Sequence, residues 1–225
     1  MHAFVPVRGR LVSRLEEVER RIIARLVADT AELLGTQLES RAGAGVDATG
    51  EDHILASLDF EPAEESAPDA PADAALARLL PPMSHDEELA AELRGLTESS
   101  LRAAKVERLD TVWRALAADR DAVVVHEGTE DQWLSALTDV RLVLASRLHI
   151  ENEADAEAVY RRAQRPRSGR PEEASGGEGT GGTEEPGSGE RDEVEEAMAT
   201  MYAALTWWQE SLLQAMTRRG RGRGR

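Results

Sequence analysis

Residues 133–148 constrain the fold most strongly. Apolar side chains recur around nearly the whole circumference of the helix that this segment predicts. Such a helix has no face suited to water and is typical of the centre of a bundle. The chain must therefore supply other helices that surround it. Charged residues interrupt the apolar surface, and each buried charge needs a partner; they are Asp139, Arg141 and Arg147.

Amphipathic segments that can surround this central helix occur along the chain. Between residues 192 and 218, apolar side chains recur every three or four positions, which is typical of a helix packed on partner helices. Ser13 and Glu16 form a capping-box pattern, which predicts that an N-terminal helix begins near Ser13. Further helix starts are predicted at Asp73, Ser84, Thr97 and Thr129.

These patterns predict a mainly α fold, a bundle of about five to seven helices. Two short segments have strand character, namely Phe4–Val7, which Pro6 limits to a sheet edge, and Val123–His126. They can pair as a short two-stranded β ribbon. We expect residues 1–217 to form a single helical domain.

Three segments differ in composition from this domain. Residues 42–75 are rich in Asp, Glu and Pro and predict an acidic loop, although residues 53–60 are apolar enough to dock locally. Residues 165–191 are rich in Gly, Ser and Glu, as flexible linkers are. Residues 218–225 alternate Arg with Gly and predict a disordered tail.

Composition excludes several classes of protein. The chain has no Cys, so it is neither a disulfide scaffold nor a Cys-ligated metal protein. No stretch approaches the ~18 consecutive apolar residues of a membrane span, and charges begin too early for a signal peptide. We therefore expect a cytoplasmic protein without a membrane partner. The net charge of −16 argues against a body that wraps nucleic acid.

No catalytic, cofactor-binding or metal-ligating constellation is readable. The five His are scattered, and none is spaced as in a zinc protease helix. The glycine cluster lacks the strand and the Gly-Lys-Ser/Thr pattern of a phosphate loop. The single lysine, Lys105, fits a surface lysine better than a Schiff-base lysine. We therefore predict a protein that is not an enzyme and needs no cofactor.

The charged residues of the central helix predict a polar network. Gln209 and Glu210 stand beside Trp207 and Trp208 in the last helix and are natural partners for Asp139, Arg141 and Arg147. If the pair is buried, Arg141→Ala or Glu210→Ala costs ~3 kcal/mol or more. A structural network that fixes how the two helices pack is the preferred interpretation. The alternative is an enzyme or small-ligand site near Arg141 and Glu210.

The basic tail supports another alternative function. An Arg-Gly segment can hold RNA or DNA through phosphate contacts that weaken with salt. The candidate residues are Arg218, Arg219, Arg221, Arg223 and Arg225. Since the body is strongly acidic, nucleic acid is not the partner that we expect.

Several segments of the chain form a combination that is specific although each segment alone is weak; they are Leu76–Pro81, Glu92–Thr97, Leu101–Lys105, Trp133–Leu137, Asp139–Leu144, Arg147–Leu148, Tyr202, Leu205–Trp207 and Gln209–Leu212. Together they resemble one family, the actinobacterial domain of unknown function 2017, over nearly the whole ordered chain. The family pattern has Asn where Thr138 stands and Gly where Ala145 and His149 stand, so these positions depart from it.

The resemblance implies a link to regulated proteolysis, because genes of this family often neighbour the adaptor of the Clp protease. It implies no established activity. We therefore expect a non-enzymatic protein-interaction or regulatory module, with Clp adaptor machinery as a candidate partner. A homodimer is compatible with each hypothesis, and an exposed stripe from Met201 to Trp208 would favour it.

Overall fold

The computed structural model describes residues 1–38, 71, 73–118, 122–164 and 188–223. The mainly α prediction is confirmed: the described residues form six helices and three short strands. Much of the predicted acidic loop and linker, residues 42–70, 72 and 165–187, lies outside this range. In chain order the elements are β1 (Val5–Val7), β2 (Arg10–Arg14), α1 (Glu17–Leu33), α2 (Ala74–Leu79), α3 (Glu87–Ala117), β3 (Ala122–Val125), α4 (Glu130–Arg147), α5 (Glu153–Ala163) and α6 (Ser188–Arg223).

Helix α4 lies at the centre of the bundle, as its apolar circumference predicts. It packs against α1, α2, α3 and α6, and Trp133, Ala136 and Leu137 on it are almost fully buried. Helix α6 covers α4 with its own apolar stripe, so that Leu205 and Trp208 have no exposed surface. The centre of the Met201–Trp208 stripe therefore belongs to the core of one chain and provides no support for a homodimer.

The sheet has three antiparallel strands in the order β1–β2–β3, so the prediction of a two-stranded ribbon is wrong. Arg10–Arg14 form the middle strand, in which Ser13 pairs with Val123. Arg8 and Gly9 form the two-residue turn between β1 and β2, with φ of 48° and 82°. Positive φ at both central residues is what a type I′ hairpin turn requires.

The N-terminal helix begins later than its capping pattern predicts. Ser13 lies in a strand, and Glu16 is the residue that precedes α1. The side chain of Glu19 accepts a hydrogen bond of 2.9 Å from the backbone N–H of Glu16. A capping box thus forms three residues beyond the predicted one, because pairing with β3 holds Ser13 extended.

Helix α3 is one continuous helix where a break near Thr97 was predicted. Thr97 lies inside it and donates through Oγ1 to the carbonyl of Leu93, 2.8 Å away, which satisfies the hydroxyl without a cap. The helix begins after Asp86, whose carboxylate accepts the N–H of Leu89, and Ser84 lies outside it. Helix α5 is absent from the predicted elements, although Asn152 begins it with a capping box.

Two helices end in the same hydrogen-bonded motif with different residues at its left-handed position. After α1, Gly35 has φ of 83°, and the N–H of Thr36 bonds to the carbonyl of Ala31. After α4, His149 has φ of 54°, and the N–H of Ile150 bonds to the carbonyl of Ala145. Glycine is the preferred residue there because it has no Cβ. His149 therefore adopts a strained backbone conformation.

Helix α6 extends to Arg223, so the predicted disordered tail is wrong for residues 218–223. It also begins at Ser188, inside the segment predicted as a linker. Arg219 holds the C-terminal end in place: it contacts Glu130 and donates to the carbonyl of Gly9 at 3.2 Å. These contacts give the last turns of α6 a tertiary anchor that glycine-rich sequence does not predict.

Candidate interaction site

Asp139 pairs with a residue that the sequence analysis left on the surface. Its Oδ1 lies 2.5 Å from Nζ of Lys105 on α3, and the two side chains are 5% and 13% exposed. Burial raises the pKa of Asp139, while the hydrogen bond and charge of Lys105, and then the charge of Arg108, oppose the rise. Oδ2 of Asp139 is buried and has no partner in the described part of the chain. The pair joins α3 to the central helix.

Arg141 and Gln209 meet across α4 and α6, as the predicted network requires. Nη1 of Arg141 donates to Oε1 of Gln209 at 2.9 Å, and the guanidinium lies 5.4 Å from the ring centre of Tyr202. The Gln209 amide donates in turn to Thr138 and to the carbonyl of Leu134, at 2.8 and 3.1 Å. Both the oxygen and the nitrogen of the Gln209 amide are thus hydrogen-bonded to residues of α4. These bonds fix how α6 packs on α4.

The other two predicted members lie elsewhere, so the five residues do not form one network. Arg147 pairs with Asp73, the residue that caps α2, over 2.8 Å at a half-exposed position. The hydrogen bond from the Leu76 N–H, followed by that from Arg147, lowers the pKa of Asp73. Glu210 is exposed and contacts Gln214 on its own helix. The prediction that Glu210 pairs with Arg141 is wrong, because it lies on the solvent face of α6.

An aromatic cluster in the core is tied together by two serines. The rings of Phe4, Trp133 and Trp208 lie within 6.4 Å of one another, centre to centre. Ser13 Oγ accepts the indole N–H of Trp208 at 2.9 Å, and Ser211 Oγ accepts the N–H of Phe4 at 3.1 Å. Neither role was predicted: Ser13 was assigned to a helix cap, and Ser211 was given no role. The alternation of β2, which turns Ser13 towards the core, was the available signal.

Arg219, a candidate nucleic-acid residue, has a structural role. It contacts the buried carboxylate of Glu130 at the start of α4. Burial acts to raise the pKa of Glu130, but bonds from its own backbone N–H, from Arg219 and from the Gly128 N–H together lower it. Of the other tail arginines, Arg218 is exposed, and nothing is described for the side chains beyond residue 220.

An apolar groove runs between three helices and is called here the α1–α4–α6 groove. Its volume is about 390 Å³, within the usual size range of ligand sites. Asp29 and Glu32 line it from α1, and Arg147 lines it from α4. Its apolar lining comes from Leu26, Leu33, Val140, Val143, Leu144 and Met198.

The family described as domain of unknown function (DUF2017) matches residues 1–216. That span includes every residue of the groove and all of the bundle except residues 217–223 at the end of α6. The chain belongs to the DUF2017 family. The resemblance seen in the sequence is thereby confirmed, and the family description assigns no activity.

No curated protein and no solved structure matches this DUF2017 chain. Within the described ranges, no helix is both long and apolar enough to cross a membrane. The same residues contain no group of three or more His, Asp or Glu side chains placed to hold a metal ion.

Sequence periodicity places the groove residues on helices but does not reveal the groove. Leu26 and Leu33 belong to the predicted apolar stripe of α1, and Val143 belongs to the apolar circumference of α4. Each therefore looks like a core residue in the sequence. Val143 remains only partly buried because it lines the groove, and the groove depends on packing between distant segments.

Proposed function

We propose that this protein is a non-enzymatic protein-interaction module and that a segment of a partner protein docks in the α1–α4–α6 groove. The supporting observation is the combination of an apolar lining, provided by residues such as Leu33, Val143 and Met198, with charged residues at its edge. Helix-lined apolar grooves are a recurrent mode of peptide recognition. Burial of a partner's apolar side chains there would supply the main driving force.

We propose a component of the Clp system as the partner. The family resemblance implies a link to Clp-dependent proteolysis, so the Clp adaptor or a Clp subunit is the first candidate. The apolar lining of the groove suits a partner segment that presents apolar side chains, and the crosslinking experiment below identifies the partner.

Site-specific photo-crosslinking in the natural host tests the proposal. A photo-reactive phenylalanine analogue replaces Val143 in the groove of the full-length chain. In a matched control it replaces Leu96 on α3. Leu96 is 71% exposed and does not line the groove. We expect a discrete adduct with a second protein from position 143 and none from position 96. The adduct is identified by mass spectrometry.

A binding measurement with the purified partner completes the test. Val143→Asp places a charge in the groove and should weaken binding at least tenfold, whereas Leu96→Asp should leave it unchanged. Circular dichroism checks that both variants fold. Absence of an adduct at 143, or equal adducts at both positions, would refute the groove as the docking site. An adduct with a protein outside the Clp system would refute only the Clp link.

A further inference from the structure

The C-terminal end of α1 differs from the ends of the other helices in its charge. Helices α2, α3, α4 and α5 each carry one or two arginines in their last turn. A base is favourable there because the carbonyl end of a helix carries partial negative charge. The last turn of α1 contains no base; instead it contains Glu32, which adds negative charge to that end.

This helix end forms one edge of the α1–α4–α6 groove. Of the charged groove residues, Arg147 is neutralised by Asp73 and Asp29 by Arg25, at 2.8 and 2.7 Å. Among the described residues, exposed Glu32 is the charged side chain of the lining that has no ion-pair partner. It acts together with the negative helix end, so a cation seated there would be favoured by both.

We infer that the segment that docks in the α1–α4–α6 groove combines an apolar face with an Arg or Lys side chain that meets Glu32 at the end of α1. The inference rests on the proposed function and names the chemistry of the partner. The last turn of α1 contains no base. The partner's cation therefore supplies the positive charge that this helix end lacks. Its apolar face fills the space beside Val143 and Met198.

The experiment uses the photo-crosslinker at position 143 in full-length chains that differ at one further residue. Glu32→Lys reverses the proposed contact. Glu157→Lys makes the same change of charge on α5. Glu157 is exposed and does not line the groove. We expect the adduct to fall roughly tenfold with Glu32→Lys, equivalent to about 1.4 kcal/mol, and to be unchanged with Glu157→Lys. Glu32→Gln should give an intermediate loss.

Thermal unfolding separates this role from a merely structural one. A base in the last turn of α1 is favourable to the helix, so Glu32→Lys should leave the Tm of the free protein equal or higher while the adduct is lost. The crosslinked peptide of the partner should contain an Arg or Lys near the point of attachment.

The two proposals fail in different ways. If the unsubstituted chain gives no adduct at 143, the docking proposal fails before Glu32 is tested. If the adduct forms but Glu32→Lys and Glu157→Lys give equal yields, the docking site stands and the inferred cation is overturned. An adduct within residues 39–72 of the same chain would overturn the partner segment as occupant.

Discussion

The buried pair between Lys105 and Asp139 allows the sharpest test of how the bundle is held together. We consider Lys105→Met, Asp139→Leu and the double variant. Each single substitution leaves one buried charge without its partner, whereas the double substitution replaces both charges with apolar side chains of similar size. The comparison isolates the interaction between the two residues from the effect of each alone.

The expected magnitude follows from burial and geometry. The two charged atoms lie 2.5 Å apart on side chains that are 13% and 5% exposed. Removing one partner of a buried pair typically costs 3–5 kcal/mol; we expect about 3 kcal/mol, because Lys105 keeps some contact with water. The double variant should lie within about 1 kcal/mol of the natural protein, since apolar replacement of a buried pair is often neutral.

Chemical denaturation followed by circular dichroism measures these free energies of unfolding. The exposed Arg25–Asp29 pair on α1 is the control, with a similar distance of 2.7 Å but side chains 67% and 45% exposed. Arg25→Ala should cost less than about 0.5 kcal/mol. Single variants of the buried pair that also cost under about 0.5 kcal/mol, or costs that simply add in the double variant, would refute the role assigned to the pair.

The pH dependence of Lys105→Met gives a second check. Without the ammonium, burial raises the pKa of Asp139 further above that of the unfolded chain. The folded state then binds a proton more tightly, so the free energy of unfolding should rise as pH falls through that raised pKa towards the lower pKa of the unfolded chain. The Asp139→Leu variant has no carboxyl group there and should lack this increase.

Three further outcomes are expected from denaturant unfolding. His149→Gly should stabilise the protein by about 1 kcal/mol, because φ is positive there, whereas Gly35→Ala should destabilise it; a loss with His149→Gly would contradict the strain. Ser13→Ala should cost ~1–3 kcal/mol by leaving the buried Trp208 N–H without its acceptor; a cost near zero would argue against that bond. Glu130→Gln should lower the free energy of unfolding at neutral pH. The difference from the natural protein should shrink as pH falls through the lowered pKa of Glu130. A difference that does not change with pH would refute the stabilising role of the Glu130 carboxylate.

The helical class and the central place of α4 could both be predicted from local sequence patterns. Both patterns, the apolar circumference of α4 and the apolar stripes of the other helices, can be seen within single segments of the sequence. A helix that is apolar on all sides must be buried, and a helix with one apolar stripe packs that stripe against the core. Family membership was also visible in the sequence, as the match over residues 1–216 shows. The pairing of Arg141 with Gln209 was among the contacts proposed from these patterns, since both residues lie on apolar helix faces.

Contacts between residues that are distant in the chain depend on how the helices and strands pack and could not be predicted from local patterns. Ser13 shows the reason: its capping pattern is genuine, yet pairing with Val123 and the bond to Trp208 hold it in a strand. Likewise, Asp139 has many possible partners in sequence, and only the approach of α3 to α4 selects Lys105. The groove is decided in the same way, because a gap between helices depends on the angles at which they pack, and no single segment encodes that angle.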